Sequence, residues 1–161
     1  MSKKEKVEIE FEVFEDLAQL PADIQSLMEC ARKAREDAYA PYSKFKVGAA
    51  LLLDSGEIVI GSNQENAAYP SGLCAERVAI FHCGAVFPNR TIKALAITAS
   101  SASQVLNDPI GPCGACRQSL SEYELRQNSP IAVYFMGETG KILKVFSVKD
   151  LLPLGFDGKY L

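Results

Sequence analysis

The sequence predicts an α/β fold with three layers, in which helices cover both faces of a mixed five-stranded sheet. Two observations lead to this prediction. Through the middle of the chain, helical patterns alternate with short apolar runs, an order typical of sheets that helices cover on both sides. The 161 residues, 48% of them hydrophobic, suffice for one core and contain no linker-like segment. A single domain over residues 1–161 is therefore expected.

An additional strand is expected near the N-terminus, within an extension that spans residues 1–20. Apolar and acidic residues alternate strictly over residues 7–13, as in a strand with one apolar and one acidic face. Two interpretations remain open. The strand either packs at the edge of its own domain or pairs with another subunit, because an acidic face also suits the polar rim of an interface.

The first helix and a hairpin follow in order. Pro21 suits the first turn of a helix. The buried face of this helix is predicted from apolar residues at spacings of three and four positions: Ile24, Leu27, Met28, Ala31, Ala34 and Ala38. Residues 45–62 then predict a β-hairpin around a polar turn at 54–57.

The second half of the chain alternates helices and strands. Helices are predicted to begin near Cys74 and Cys113. Apolar runs bounded by turn residues predict strands over 92–99, 131–136 and 141–146, and a short helix is expected over 150–154.

Composition excludes several kinds of partner. The formal net charge is −3, and this acidic balance does not attract a polyanion, so a nucleic-acid polymer is not favoured. No apolar run approaches the length of a membrane span, so no membrane partner is expected. The N-terminal residues do not resemble a signal peptide, and five cysteines, an odd number, favour thiols or metal ligands over disulfides. A cytoplasmic location is expected.

Cys74, Cys113 and Cys116 form a candidate metal site. The Cys113-Gly114-Ala115-Cys116 spacing lets two thiolates face one ion, and Cys74 begins another helix. Two helix N-termini would then favour thiolate over thiol. Three protein ligands leave a fourth tetrahedral position for water, as in catalytic zinc sites. One Zn²⁺ per subunit is therefore expected.

The residues that follow Cys74 complete this site. Glu76 supplies a carboxylate that does not bind the metal and can move protons for its water. Three thiolates around one Zn²⁺ leave excess negative charge, which hydrogen-bond donors must offset. Arg77, and after it Arg117, are the expected donors to the thiolate sulfurs.

A structural zinc site with a fourth cysteine is the main alternative. Cys83 lies roughly 13 Å along the helix from Cys74, too far to share its ion. Cys30 is not excluded by sequence, although it lies in the middle of a predicted helix. His82, the only histidine, lies nearly opposite Glu76 on the helix and is not expected to be a ligand.

Five segments together resemble the cytidine deaminases, specifically the small type with three cysteine ligands that is usually a homotetramer. The similarity covers roughly residues 21–156 and rests on segments 42–50, 61–69, 74–77, 112–118 and 151–156. The resemblance implies a cytidine-deaminase-like fold with active sites shared between subunits. It also implies substrate contacts by Phe45, Asn63, Glu65, Ala75 and Phe156.

The implied roles differ from residue to residue. Asn63 and Glu65 would hydrogen-bond the ribose hydroxyls, and Phe45 would pack against the base or sugar. Backbone groups near Ala75 would contact the base. Phe156 would reach a base in the site of a neighbouring subunit. The alternatives are that Asn63 only caps its loop and that the two phenylalanines serve only a core or an interface.

The resemblance implies hydrolytic deamination of cytidine, and of deoxycytidine, to the uridine product and ammonia, a reaction of pyrimidine salvage. The expected substrate is a free nucleoside. Three alternatives remain at this stage: a deaminase of a modified nucleoside or an aminopyrimidine, an editor of polynucleotides, and a zinc-binding module without activity.

Overall fold

Three α-helices cover a six-stranded sheet in the computed structural model, which describes residues 2–161. The helices are α1 (Ala22–Glu36), α2 (Ala75–Val86) and α3 (Gly114–Gln127). The strands are β1 (Phe11–Phe14), β2 (Phe45–Leu53), β3 (Ile58–Ser62), β4 (Ile92–Ser101), β5 (Ala132–Met136) and β6 (Ile142–Val145). Short 3-10 helices lie at Leu17–Gln19, Tyr69–Ser71, Val148–Leu151 and Gly158–Tyr160.

The sheet is mixed, as predicted. Its strand order is β1-β6-β5-β4-β2-β3. Strands β4 and β5 are parallel, and every other neighbouring pair is antiparallel. Helix α3 connects the two parallel strands, because strands that run the same way need a long crossover.

Two hydrophobic cores give the fold its three layers, which confirms the predicted fold class. Helix α1 buries Leu27 and Met28 on one face of the sheet. Helices α2 and α3 bury Ile80 and Leu120 on the opposite face. The central strand β4 contributes residues to both cores, so the sheet is shielded from solvent on both sides.

Two glycines let the helices approach the β2–β3 hairpin closely. A Cβ atom at Gly48 would lie 2.0 Å from the carbonyl oxygen of Ala31 in α1. A Cβ atom at Gly61 would lie 2.5 Å from the carbonyl oxygen of Ala75, the first residue of α2. Glycine at position 61 therefore fixes where α2 begins, and with it the position of Cys74.

The predicted N-terminal strand over 7–13 is wrong at its start. Only Phe11–Phe14 pairs with β6, whose last residue is Val145. Beyond β6 the chain enters the 3-10 helix at Val148–Leu151, so residues 7–10 have no strand to pair with. The short helix expected over 150–154 is likewise a 3-10 turn that begins and ends earlier. No helix within residues 2–161 has both the length and the apolar character needed to cross a membrane.

Candidate active site

Two helix N-termini converge at one side of the sheet. Cys74 is the N-cap residue of α2, and Cys113 is the N-cap residue of α3. Cys116 lies in the first turn of α3 and is fully buried. Neither N-cap residue uses its side chain to cap its own helix, so both thiols are available to another partner.

The three thiols are spaced for a metal ion. The Sγ atoms of Cys74 and Cys113 are 3.8 Å apart, and those of Cys113 and Cys116 are 3.5 Å apart. All three lie within 4.8 Å of one another. A tetrahedral zinc with Zn–S bonds of about 2.3 Å separates its sulfur ligands by roughly 3.8 Å. The cluster therefore fits zinc without rearrangement of the backbone.

The thiol cluster favours the charged form at Cys74. The pKa of the Cys74 thiol is lowered to about 5, first by the hydrogen bond from Cys116 and then by Arg77 and Cys113. The Cys116 pKa is raised because this thiol donates a hydrogen bond to the Cys74 sulfur and is desolvated. A thiolate is the form that binds a metal.

The two candidate arginines take different positions. Nη2 of Arg77 lies 3.9 Å from the Cys74 sulfur, so this guanidinium can offset thiolate charge as expected. Arg117 is directed elsewhere. Its Nε donates to the Pro112 carbonyl oxygen at 2.7 Å, and its Nη1 donates to the Leu151 carbonyl oxygen at 2.9 Å.

The Glu76 carboxyl group lies in the same cavity, in the first turn of α2. Its side chain is 4% exposed. Burial raises its pKa, and the negative charge of Cys74 raises it further. A carboxyl group whose pKa is raised toward neutrality can both accept and donate protons during a reaction.

An open cavity of about 830 Å³ joins the thiols to the predicted substrate-binding residues. Its lining contains seven of the predicted site residues: Phe45, Asn63, Glu65, Cys74, Glu76, Arg77 and Cys113. The sequence did not reveal the aromatic pair Tyr42 and Tyr69, whose rings meet edge to face at 6.5 Å beside the same cavity. Neither a spacing rule nor a charge pattern distinguishes these two residues from other loop tyrosines.

Asn63 and Glu65 join the cavity wall to neighbouring backbone. The Asn63 amide accepts a hydrogen bond from the Val47 N–H at 2.7 Å and donates to the Phe45 carbonyl oxygen at 2.9 Å. The Glu65 carboxylate accepts hydrogen bonds from the Tyr42 and Ser43 N–H groups and from the Ser43 hydroxyl. The Ser43 hydroxyl is the main cause of the lowered pKa of Glu65. Asn63 therefore binds the start of β2, and Glu65 holds the loop before that strand in place.

The remaining predicted residues lie outside this cavity. The Ala75 side chain is buried, but its N–H belongs to the first turn of α2, where amides have no partner within the helix. Phe156 is 58% exposed and is not among the lining residues of its own chain. Its carbonyl oxygen accepts a hydrogen bond from Gln118 of α3.

The other candidate ligands are separate from the three-thiol cluster. Cys83 is buried in the core beneath α2, and Cys30 is half-buried in α1. His82 is exposed on α2. Within residues 2–161, only Cys74, Cys113 and Cys116 form a group able to hold a metal ion. Three thiols with a buried carboxyl group beside them define a metal-dependent site for hydrolysis.

Comparison with known proteins identifies the family. The family model for the zinc-binding region of cytidine and deoxycytidylate deaminases matches residues 21–129. The cytidine deaminase of Sporosarcina psychrophila is 44% identical over 135 residues, which cover 83% of this chain and 91% of that protein. That of Halalkalibacterium halodurans is 40% identical over 134 residues, covering 83% and 94%.

A solved structure agrees with these sequence matches. The crystal structure of cytidine deaminase from Burkholderia pseudomallei superposes with a TM-score of 0.70 and 41% identity, and the match covers 81% of this chain and 97% of that one. The chain belongs to the zinc-dependent cytidine deaminase family.

Proposed function

We propose that this protein catalyses the hydrolytic deamination of cytidine and deoxycytidine to the corresponding uridine nucleoside and ammonia. One observation carries the proposal: the buried Glu76 carboxyl group lies beside three thiols in a cavity whose wall also contains Asn63 and Glu65. This arrangement combines a metal site, a proton carrier and polar groups suited to a sugar.

Cys74, Cys113 and Cys116 would hold the zinc ion. When bound, zinc supplies the Lewis acidity that makes a water molecule nucleophilic at neutral pH. Arg77 offsets part of the thiolate charge, because excess negative charge on the ligands would weaken that acidity. Cys116 and Glu76 are buried at the base of this site, whereas Cys113 is exposed.

Glu76 would carry the protons of the reaction. Its carboxylate accepts the proton that the attacking water loses and delivers it to N3 of the cytosine ring. After water has added at C4, Glu76 takes the remaining proton of that water from the new C4 hydroxyl group and delivers it to the departing amino group, which leaves as ammonia. The raised pKa of Glu76 supports this cycle, because the group must take up and release a proton near neutral pH.

Phe45, Asn63, Glu65 and the backbone near Ala75 would bind the nucleoside. Both atoms of the Asn63 amide already contact the backbone of β2, yet its oxygen and its nitrogen each retain one further hydrogen-bonding position. The carboxylate oxygens of Glu65 can likewise accept further hydrogen bonds. The pair would orient a ribose against Phe45.

The protein would act as a homotetramer whose active sites are completed by neighbouring subunits. The exposure of Phe156 supports this assembly, because the residue is accessible and does not line the cavity of its own chain. The hydrogen bond from Gln118 to the Phe156 carbonyl oxygen fixes the segment that presents the ring.

The test is the turnover of cytidine by zinc-loaded protein with and without Glu76→Gln. Loss of general acid–base catalysis lowers rates by about 100- to 10,000-fold, so kcat is expected to fall by at least about 100-fold while the zinc content stays at one ion per chain. Ultraviolet absorbance follows the loss of cytidine. The matched control is Glu122→Gln, an exposed position on α3, which should leave kcat unchanged. Full turnover by Glu76→Gln would contradict the assignment.

A further inference from the structure

The N-terminal extension contains a strand-like alternation of residues, of which only the last part is paired with the sheet. Alternation of apolar and acidic residues runs from Val7 to Val13, but only Phe11–Phe14 is paired. In the register of β1 against β6, the next positions would pair Glu10 with Phe146 and Ile9 with Ser147. Ser147 cannot take part, because its N–H already donates to Asp150 within the capping box of a 3-10 helix.

The apolar side of this segment is exposed. We define the apolar row as Val7, Ile9, Phe11 and Val13, of which Ile9 is 45% and Phe11 is 52% exposed. Strand β1 is also the outermost strand of the sheet, so within the described residues no strand pairs with its outer edge. An exposed edge with apolar side chains is a template for pairing with another strand.

The charges of the segment show which strand would fit. The other side of the alternation, the charged row, reads Lys4, Lys6, Glu8, Glu10 and Glu12 in chain order. In a parallel pair of two such rows in register, like charges would face each other, which is destabilising. In an antiparallel pair centred on Glu8, Lys4 and Lys6 of each row face Glu12 and Glu10 of the other, and only the central Glu8 faces a like charge.

Contacts within the chain leave much of this charge accessible. Lys6 forms an ion pair only with Glu8 on its own segment, and both side chains are more than three-quarters exposed. Glu12 bonds Lys144 of β6 at 2.7 Å, which anchors the C-terminal end of the segment to the sheet. The part of the segment before Phe11 is not paired with β6.

We infer that the N-terminal segments of two copies of this chain pair as antiparallel strands across a two-fold axis. In the register that best combines both rows, Lys6 faces Glu10 of the second copy, Lys4 faces its Glu12, and Val7 faces its Ile9. Glu8 then lies on the axis, opposite the same position of the second copy. The two six-stranded sheets become continuous through this contact.

This interface is distinct from the cavity and from the family domain, whose matched region begins at residue 21. It therefore does not depend on whether the protein deaminates cytidine.

Cross-linking through an introduced cysteine tests the geometry directly. Directly opposed side chains of an antiparallel pair lie close enough for a disulfide. Glu8→Cys is therefore expected to form a covalent dimer under mild oxidation, read on a non-reducing denaturing gel. Lys4→Cys, equally part of the segment but away from the axis, is the matched control. The native cysteines are present in both variants, so the difference reports only the added thiol.

Charge reversal tests the recognition. In the Glu8→Cys background, Lys6→Glu is expected to lower the dimer yield about fivefold, because it places like charges opposite each other. Adding Glu10→Lys to that chain restores opposite charges and should restore the yield. Equal cross-linking at positions 4 and 8, or a doubly reversed chain that stays as low as the singly reversed one, would overturn the proposal.

Discussion

Cys74 and Glu76 lie two positions apart, yet the pKa values of their side chains shift in opposite directions. The Cys74 value falls because Cys116 and Arg77 donate hydrogen bonds to its sulfur. The Glu76 value rises because α2 buries the carboxyl group away from water. Neighbouring groups whose pKa values differ in this way can take separate roles, which supports the proposal that Cys74 binds the metal and Glu76 carries protons.

Replacing one proposed ligand separates metal binding from folding. Cys113→Ser is expected to abolish zinc binding and cytidine turnover, because a serine hydroxyl is not deprotonated at neutral pH and is a poor zinc ligand. Zinc content by plasma emission and turnover by absorbance check this together. Cys30→Ser, in α1 and outside the cluster, is the control and should retain both. One zinc per chain and normal turnover in Cys113→Ser would exclude Cys113 as a ligand.

Helix α3 connects the metal site to the C-terminal segment. Its first turn contains Cys116, and Arg117 joins the Pro112 and Leu151 carbonyl groups. Near its other end, the buried Glu124 carboxylate accepts hydrogen bonds from the Ile131 and Val148 N–H groups and the Ser147 hydroxyl. The helix thereby positions the segment that leads to Phe156.

The role of Glu124 can be tested through stability. Glu124→Gln replaces one acceptor oxygen with an NH₂ group that faces N–H donors, which leaves buried donors without a partner. The expected cost is about 1–3 kcal/mol, or a fall in Tm of roughly 2–12 °C for a chain of this size. Thermal unfolding followed by circular dichroism measures it, with the exposed Glu122→Gln on the same helix as the control. An unchanged Tm would show that these contacts contribute no net stability.

The active site as a whole depends on how closely the layers pack. Helix α2 can place Cys74 and Glu76 at the cavity only because Gly61 of β3 admits the helix backbone without a side chain between them. The shape of the cavity therefore depends on how closely α2 packs against the hairpin as well as on the residues that line it.

Gly61→Ala should separate these two layers. A Cβ atom 2.5 Å from the backbone of Ala75 and Ala79 forces α2 outward. Overpacking of this kind costs about 1–3 kcal/mol, and a displacement of about 1 Å at the reacting groups lowers kcat by about 100-fold. Tm and kcat are measured together, with Gly158→Ala as the control because a Cβ there meets no atom within 4 Å. Normal values of both would show that α2 adjusts without cost.

The local patterns predicted the layers and the metal cluster well. Both helices that begin at cysteines start where expected, because an N-terminal turn is specified by nearby residues. The extent of β1 was not predictable in the same way. A strand needs a partner, and the length of β6 limits how many residues of the N-terminal alternation can pair.

Several hydrogen-bond partners of the site residues were also not predictable from the sequence, because they lie far away along the chain. Arg77 lies three residues after Cys74, and Arg117 directly follows Cys116. Only the fold directs the first toward a sulfur and the second toward carbonyl groups. Asn63 hydrogen-bonds to β2, and Glu65 hydrogen-bonds to Ser43 in the loop before β2. No short-range sequence pattern predicts these bonds, because the partners lie in separate segments of the chain.

By itself, the sequence determined the α/β class, the three cysteines at the starts of two helices, and the acidic residue two positions after the first cysteine. Each of these depends on residue type and short-range spacing. Only the tertiary structure decided that these thiols lie within 4.8 Å of one another, that Glu76 is buried beside them, and that residues 7–10 of the N-terminal alternation are not paired with β6. These properties depend on where separate elements meet, which is set by packing between layers and by the lengths of neighbouring strands.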